Sequence, residues 1–227
     1  MKHIENIVYP YKKAELLMDY AIPDTPSDVT LLLGHGRYND MNQPLLKYLS
    51  ETLPKENVNL VRFNYPFAED NKKFVSKNKC KKAYLAALED VREELPATKF
   101  LFTGGKSLSA MISALAAPED VSGYVFLTWP LHTPRIKIPF SRKMLFSLKK
   151  PMMFISGTQD PFCDRRKLEL LVGALNPHAN MMLVPDADHS LELLHKKKRT
   201  QEDVHKEIAD ILLWFMSDVI EKRTKSN

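Results

Sequence analysis

The sequence is poor in cysteine and has no long apolar run. Only two cysteines, Cys80 and Cys163, occur among 227 residues, and they show no CxxC spacing. That excludes a disulfide framework and a thiolate zinc motif, and it fits a reducing compartment. No stretch approaches the ~20 apolar residues needed to cross a bilayer. Met1 to Pro10 contains no apolar run that could form a secretory core. The expectation is a soluble, cytoplasmic protein with no membrane partner. Zinc-finger and RRM signatures are missing too, and no internal repeat is visible.

What is present is the composition of an ordinary globular protein, 44% hydrophobic and 27% charged. The length suits one sizeable core, so a single domain is expected over residues 1–227, with the charged stretch 221–227 as a frayed tail. The net charge is +5 and the isoelectric point about 9.0. Lysines gather at Lys72, Lys73, Lys77, Lys79, Lys81 and Lys82, and again at Lys196, Lys197, Lys198 and Arg199. A basic stripe can bind nucleic acid or draw in anionic substrates. No aromatics interleave with these lysines as single-strand binding requires. A solvated helix face or loop is the expectation, with no nucleic-acid partner.

Along the chain, short apolar runs alternate with helical periodicities. Val29–Leu33, Val58–Phe63, Lys99–Thr103, Tyr124–Leu127, Met152–Ile155 and Met181–Val184 read as strands. Leu45, Leu49 and Leu53 mark one helical face, as do Tyr84, Leu88, Val91 and Leu95 within Lys72–Leu95. Further helices are expected over Ser107–Ala117, through Leu168, Leu171, Val172 and Leu175, and from Val204 through Ile208, Ile211 and Phe215 to Val219. Ile4–Val8 and Leu16–Ala21 are candidates for two antiparallel strands. The pattern implies an α/β fold, a mostly parallel sheet with helices on both faces. Such sheets carry their chemistry in loops beyond the carboxyl ends of the strands.

Polar residues do follow the strands. Gly105-Lys106-Ser107-Leu108-Ser109 lies between a strand and a helix. A nucleophile elbow needs a sharp strand-to-helix turn with small residues two before and two after the serine, and Gly105 and Ser109 are small. The alternative is a serine that merely caps the helix. A serine nucleophile needs a base, and the base needs a carboxylate. Asp160 follows the Met152–Ile155 strand and His189 follows the Met181–Val184 strand, in the order serine, acid, histidine.

Other histidines are less well placed: His3 at a terminus, His205 on a polar helix face, His178 and His195 among loop and basic residues. His132, in a Pro-rich loop, suits substrate contact or no role. Cys163, near the same loops, reads as a packing residue. The Leu108 N–H is one candidate oxyanion donor. The Arg37 N–H, after Gly34-His35-Gly36, is the other. Lys106 and Arg37 flank this region and suggest a preference for esters carrying a carboxylate. No metal or organic cofactor is implied.

The segments LLLGHGRYNDMN, FTGGKSLSA, TWPLHTP, ISGTQDPF and PDADHSL together resemble the small dienelactone-hydrolase-like branch of the α/β-hydrolases, over roughly Val29 to Ser190 and on through the final helix. The resemblance implies Ser107 as nucleophile, Asp160 as acid and His189 as base. Dienelactone hydrolases proper use cysteine where Ser107 stands, so that exact activity is not implied. Arg37-Tyr38 replaces the usual small residues, and Ser109 the usual glycine. The implied fold is an α/β-hydrolase with minimal or absent lid, because only Pro130 to Lys150 could form one. The implied function is serine hydrolysis of an ester-type bond, carboxylic ester, thioester or lactone. The competing reading is a catalytically silent interaction protein on the same scaffold, since fold alone does not imply catalysis.

Overall fold

The computed structural model describes residues 1–11, 14–69, 76–133, 143–195 and 199–225. One eight-stranded sheet runs through it, in the order β1-β2-β4-β3-β5-β6-β7-β8. β1 (Lys2–Tyr11) and β2 (Ala14–Ile22) are an antiparallel pair at one edge, with Ile7 opposite Leu17, and β2 lies antiparallel to β4 (Asn59–Asn64). β3 (Val29–Gly34), β4, β5 (Phe100–Lys106), β6 (Gly123–Leu127), β7 (Met152–Gly157) and β8 (Ala179–Val184) are mutually parallel.

Helices cover both faces, and this explains the unbroken apolar runs of the central strands. Every residue of β4, β6 and β7 is buried, whereas a strand with one wet face would alternate. Edge strand β8 is only partly buried between its ends. One face packs α3 (Lys77–Glu94), α4 (Leu108–Ala116) and α6 (Arg165–Leu175) around Leu32, Phe126 and Phe154. The other packs α1 (Pro44–Thr52) and α7 (Gln201–Lys225) around Leu31, Val125 and Ile155. Two short helices, α2 (Pro66–Glu69) and α5 (Lys143–Ser147), lie in the connections after β4 and β6.

Several elements depart from their expected bounds for physical reasons. β5 runs three residues beyond Thr103, because Gly104 and Gly105 pair with Leu33 and Gly34 of β3 and Lys106 pairs with Leu127 of β6. The turn at Ser107 therefore begins where the sheet ends. The helix expected from Lys72 begins at Lys77 among the described residues, and 70–75 lie outside them. Where fraying was expected from Glu221, α7 continues to Lys225. Arg223 anchors that last turn by donating to Ser122 Oγ at 2.9 Å and lying over the Phe100 ring, 6.0 Å from its centroid. Lys222 pairs with Asp218 one turn back, at 2.7 Å.

Residues 128–151 separate β6 from β7, and their one regular element is the five-residue α5 among the described residues. The described residues there build no separate lid; 134–142 lie outside the described residues, as do Lys196–Lys198 of the second basic run. No described helix is long and apolar enough to cross a membrane.

Candidate active site

Ser107 sits between β5 and α4 with φ 51° and ψ −98°, a region β-carbon sterics disfavour. Its N–H donates to Leu127 O at 2.8 Å and its carbonyl accepts from Met111 N at 3.2 Å, so sheet and helix jointly hold the turn. Tyr84, on α3, braces the strand from behind: its hydroxyl donates to Gly104 O at 2.6 Å and contacts Thr103 Oγ1 at 2.8 Å. Ser107 makes no side-chain cap bond to its helix. The capping alternative is thereby set aside, because the hydroxyl is engaged elsewhere.

That engagement is with His189. Its Nε2 lies 2.9 Å from Ser107 Oγ, and its Nδ1 lies 2.8 Å from Asp160 Oδ2. A carboxylate only accepts, so Nδ1 carries the proton and Nε2 is left to accept from the serine. Asp160 is fully covered at its side chain, whereas His189 keeps 18% exposure. The second carboxylate oxygen, Oδ1, accepts from Phe162 N at 2.8 Å. The Phe162 ring lies over the imidazole, centroids 4.3 Å apart, shielding the pair from solvent.

The loops after β7 and β8 interlock to make this possible. Thr158 N donates to Val184 O at 3.0 Å and Gln159 N to Ala187 O at 2.9 Å. Gly157 is required at the crossing, because a β-carbon there would stand 2.1 Å from Ala187 O. The other acids near the site are occupied in turns. Asp188 Oδ1 accepts from Ser190 N at 2.7 Å and Glu192 N at 3.1 Å. Asp164 caps α6 through Lys167 N at 3.0 Å. Asp186 holds φ 58°, and its N–H donates to Thr158 Oγ1 at 2.9 Å.

The loop after β3 is organised by a histidine whose role the sequence did not disclose. His35 is fully buried. Its Nδ1 lies 2.7 Å from Gly36 O, and its Nε2 accepts from Tyr65 N at 3.1 Å. Burial pushes its pKa down to about 4, against a smaller opposing effect of the Gly36 carbonyl. His35 is thus a neutral strut between this loop and the residue following β4. Ser109 ties the same loop to α4 by donating to His35 O at 2.6 Å. Its single proton is committed there, so the Tyr65 hydroxyl, 3.1 Å from Ser109 Oγ, must be the donor of that second contact. Gly34 leaves room for this link, since a β-carbon would meet Ser109 Oγ at 2.4 Å. Gly105 takes φ 145° beside them. Beyond Gly36, Arg37 opens an exposed turn with its side chain 5.6 Å from the Tyr38 ring centroid. Leu108 occupies the first turn of α4, whose N–H groups have no intrahelical acceptor.

Lys106 is 3% exposed at the end of β5. Among the described residues its ammonium forms no ion pair and no hydrogen bond, and burial lowers its pKa against the opposing pull of Asp160, Asp188 and Glu192. Its ammonium stands 3.7 Å from where a Gly36 β-carbon would be. His132 is buried, with its N–H 3.2 Å from Phe162 O. Cys163 is buried too, and desolvation pushes its thiol up to about 12, consistent with packing. Among the described residues no group of His, Cys, Asp and Glu converges as a metal site.

The parts missed from sequence are Tyr65, Phe162 and the bonding role of Ser109. Phe162 lies in the segment ISGTQDPF, but its stacking on His189 depends on two loops meeting.

A family model described as an alpha/beta hydrolase domain matches residues 27–217. The fold is shared with an alpha-beta serine hydrolase homologue from Coxiella burnetii, at 17% identity, covering 93% of this chain and 96% of that one, with a TM-score of 0.73. An α/β serine hydrolase without lid from Xanthomonas campestris matches at 16% identity, 97% and 94% coverage and TM-score 0.72. A dienelactone hydrolase from Anabaena variabilis matches at 17% identity, 96% and 99% coverage and TM-score 0.71. The family match, which takes in β3, the Ser107 turn and the His189 loop alike, shows that the chain belongs to the α/β-hydrolase domain family.

Proposed function

We propose that the chain is a serine hydrolase that cleaves an ester-type bond, carboxylic ester, thioester or lactone, through an acyl-enzyme on Ser107. The observation that carries the proposal is the unbroken relay from Asp160 Oδ2 to His189 Nδ1 (2.8 Å) and from His189 Nε2 to Ser107 Oγ (2.9 Å). An unused serine, histidine and buried acid, from three strand ends, have no structural reason to align in this order. The names of the folds it shares, serine hydrolase and dienelactone hydrolase among them, point the same way.

In this mechanism His189 takes the Ser107 proton as the oxygen attacks the carbonyl carbon. Negative charge moves to the carbonyl oxygen, held by the N–H groups of Leu108 and Arg37; each such donor is worth about 10²–10³ in rate. The α4 dipole adds to the field at its N-terminus. His189 then gives the proton to the leaving alcohol or thiol. Water enters, loses a proton to His189 and attacks the acyl carbon, releasing the acid and restoring Ser107. Asp160 keeps the imidazole in one tautomer and balances its charge when protonated. Gly34, His35, Gly36 and Gly105 shape the oxyanion loop, and Lys106 and His132 are assigned to substrate contact. Two buried free cysteines suit a reducing, cytoplasmic setting.

A fluorophosphonate probe tests the reading. Covalent labelling mapped to Ser107 is expected, lost in Ser107→Ala. Folded protein that stays unlabelled, or is labelled at another residue, overturns the hydrolase reading and favours an interaction protein on the same scaffold.

A further inference from the structure

Six buried side-chain polar atoms have no hydrogen-bond partner among the described residues, and four belong to the stretch Thr128 to Thr133. They are Thr128 Oγ1, Trp129 Nε1, His132 Nε2 and Thr133 Oγ1. Folded proteins pair the large majority of such atoms, so a local concentration needs a cause. Ser156 Oγ is close by on β7 but faces the Cys163 thiol, and Gln43 Nε2 belongs to the start of α1.

The stretch borders the reacting groups on two sides. It begins one residue after Leu127, whose carbonyl holds Ser107 N at 2.8 Å. Leu131 N and His132 N both donate to Phe162 O, at 2.9 and 3.2 Å, and the Phe162 ring covers His189. Thr128 also carries strain: φ is 50°, an outlier for a β-branched residue, while its N–H is bonded to Ile155 O at 2.7 Å. Strain of this kind persists where the surroundings over-determine it, and it clusters at ligand sites.

The chemistry of the four groups defines what would pair with them. His132 Nδ1 lies 3.0 Å from Thr133 O, which can only accept, so Nδ1 holds the proton and Nε2 of the neutral ring is a bare acceptor. Two hydroxyls both donate and accept, and the Trp129 indole donates. No carboxylate, ammonium or guanidinium is among them, so a charged ligand group would remain uncompensated there. Alcohol hydroxyls match this set.

We propose that Thr128, Trp129, His132 and Thr133 form a subsite for an uncharged, hydroxyl-bearing half of the ester, such as a polyol or sugar moiety. The proposal rests on the hydrolase reading for its substrate and extends it by naming the substrate's chemical class.

The test uses two matched pairs: ethyl acetate against 2-hydroxyethyl acetate, and ethyl butyrate against ethyl 3-hydroxybutyrate. They place the hydroxyl on the alcohol and acyl sides respectively. Wild type should prefer the hydroxylated member of one pair by roughly 10- to 100-fold in kcat/KM, because groups built to pair with a hydroxyl reject the analogue lacking it. His132→Phe and the near-isosteric Thr128→Val should each bring that ratio towards one, whatever happens to absolute activity. Circular dichroism checks folding. In parallel, ligand-observed NMR should detect at least one of 2-hydroxyethyl acetate and ethyl 3-hydroxybutyrate on Ser107→Ala and lose it on Ser107→Ala/His132→Phe. Ratios near one in both pairs, or a preference untouched by both substitutions, would mean that the four atoms bind ordered water only, and the subsite falls. Failure of Ser107 labelling overturns the hydrolase reading separately. The NMR measurement then still decides the subsite, and binding that ignores His132 refutes it.

Discussion

Ser109 Oγ donates to His35 O at 2.6 Å, joining the helix that follows Ser107 to the loop that follows β3. The departure from a glycine at this position is therefore a bond between the two halves of the proposed oxyanion site. Ser109→Ala leaves a buried carbonyl without that partner, at a cost of about 1–3 kcal/mol. A Tm lower by roughly 2–4 °C per kcal/mol is expected for a chain of this size. Ser109→Gly should cost at least as much. Calorimetry of both variants checks this, and an unchanged Tm in Ser109→Ala would refute the link.

Asp160 and Asp188 are distinguished by what they hold. Asp160 reaches the imidazole, whereas Asp188 accepts backbone N–H groups within its own turn. Asp160→Asn should lower kcat by on the order of 10²–10⁴ with the fold intact, by analogy with other triads. Asp188→Asn should mainly lower stability. Measured kcat and circular dichroism decide it; near-normal turnover in Asp160→Asn beside collapse in a folded Asp188→Asn would reverse the assignment.

His35 predicts a dependence of stability on pH. Its folded pKa is about 4, against 6.5 for the free side chain. As pH falls below 6.5 the unfolded chain takes up a proton that the folded one refuses, so stability drops between pH 6.5 and 4. Above that window the contribution is fully present; below it the loss is complete. The shift corresponds to on the order of 3 kcal/mol. Denaturant titrations of wild type and His35→Gln across this range should give a steeper decline for wild type, and parallel curves would exclude the effect.

Lys106 combines burial with an ammonium that has no ion pair or hydrogen bond among the described residues. Lys106→Met should raise stability by about 1 kcal/mol, because a desolvated ammonium is replaced by a side chain of similar length. It should also reduce kcat/KM for esters bearing a carboxylate relative to neutral ones. In wild type that preference should fade on raising the pH, and earlier than for an ordinary lysine, since burial lowers its pKa. An anionic-to-neutral ratio unchanged by the substitution would remove Lys106 from substrate contact.

The order of elements was legible in the sequence because parallel strands covered on both faces are continuous apolar runs. Val29–Gly34 and Met152–Gly157 show this. The candidate residues were legible for a related reason: Ser107, Asp160 and His189 each stand just past such a run. Element ends were less so. β5 reaches Lys106 through pairing with β3 and β6, and α7 reaches Lys225 through Arg223 contacts with Ser122 and Phe100. Both depend on partners distant in the chain.

The sequence by itself thus determined the alternation of strands and helices, the family and the three residues nominated for chemistry, because these rest on local period and on motif. Only the tertiary structure decided that His35 is a buried strut, that Ser109 bonds to its carbonyl and that Phe162 covers the imidazole. It alone decided, too, that Thr128 to Thr133 hold four buried polar atoms without a hydrogen-bond partner among the described residues. Each of these is a relation between loops that meet only when the sheet assembles, and hydrogen bonds and burial exist only at that meeting.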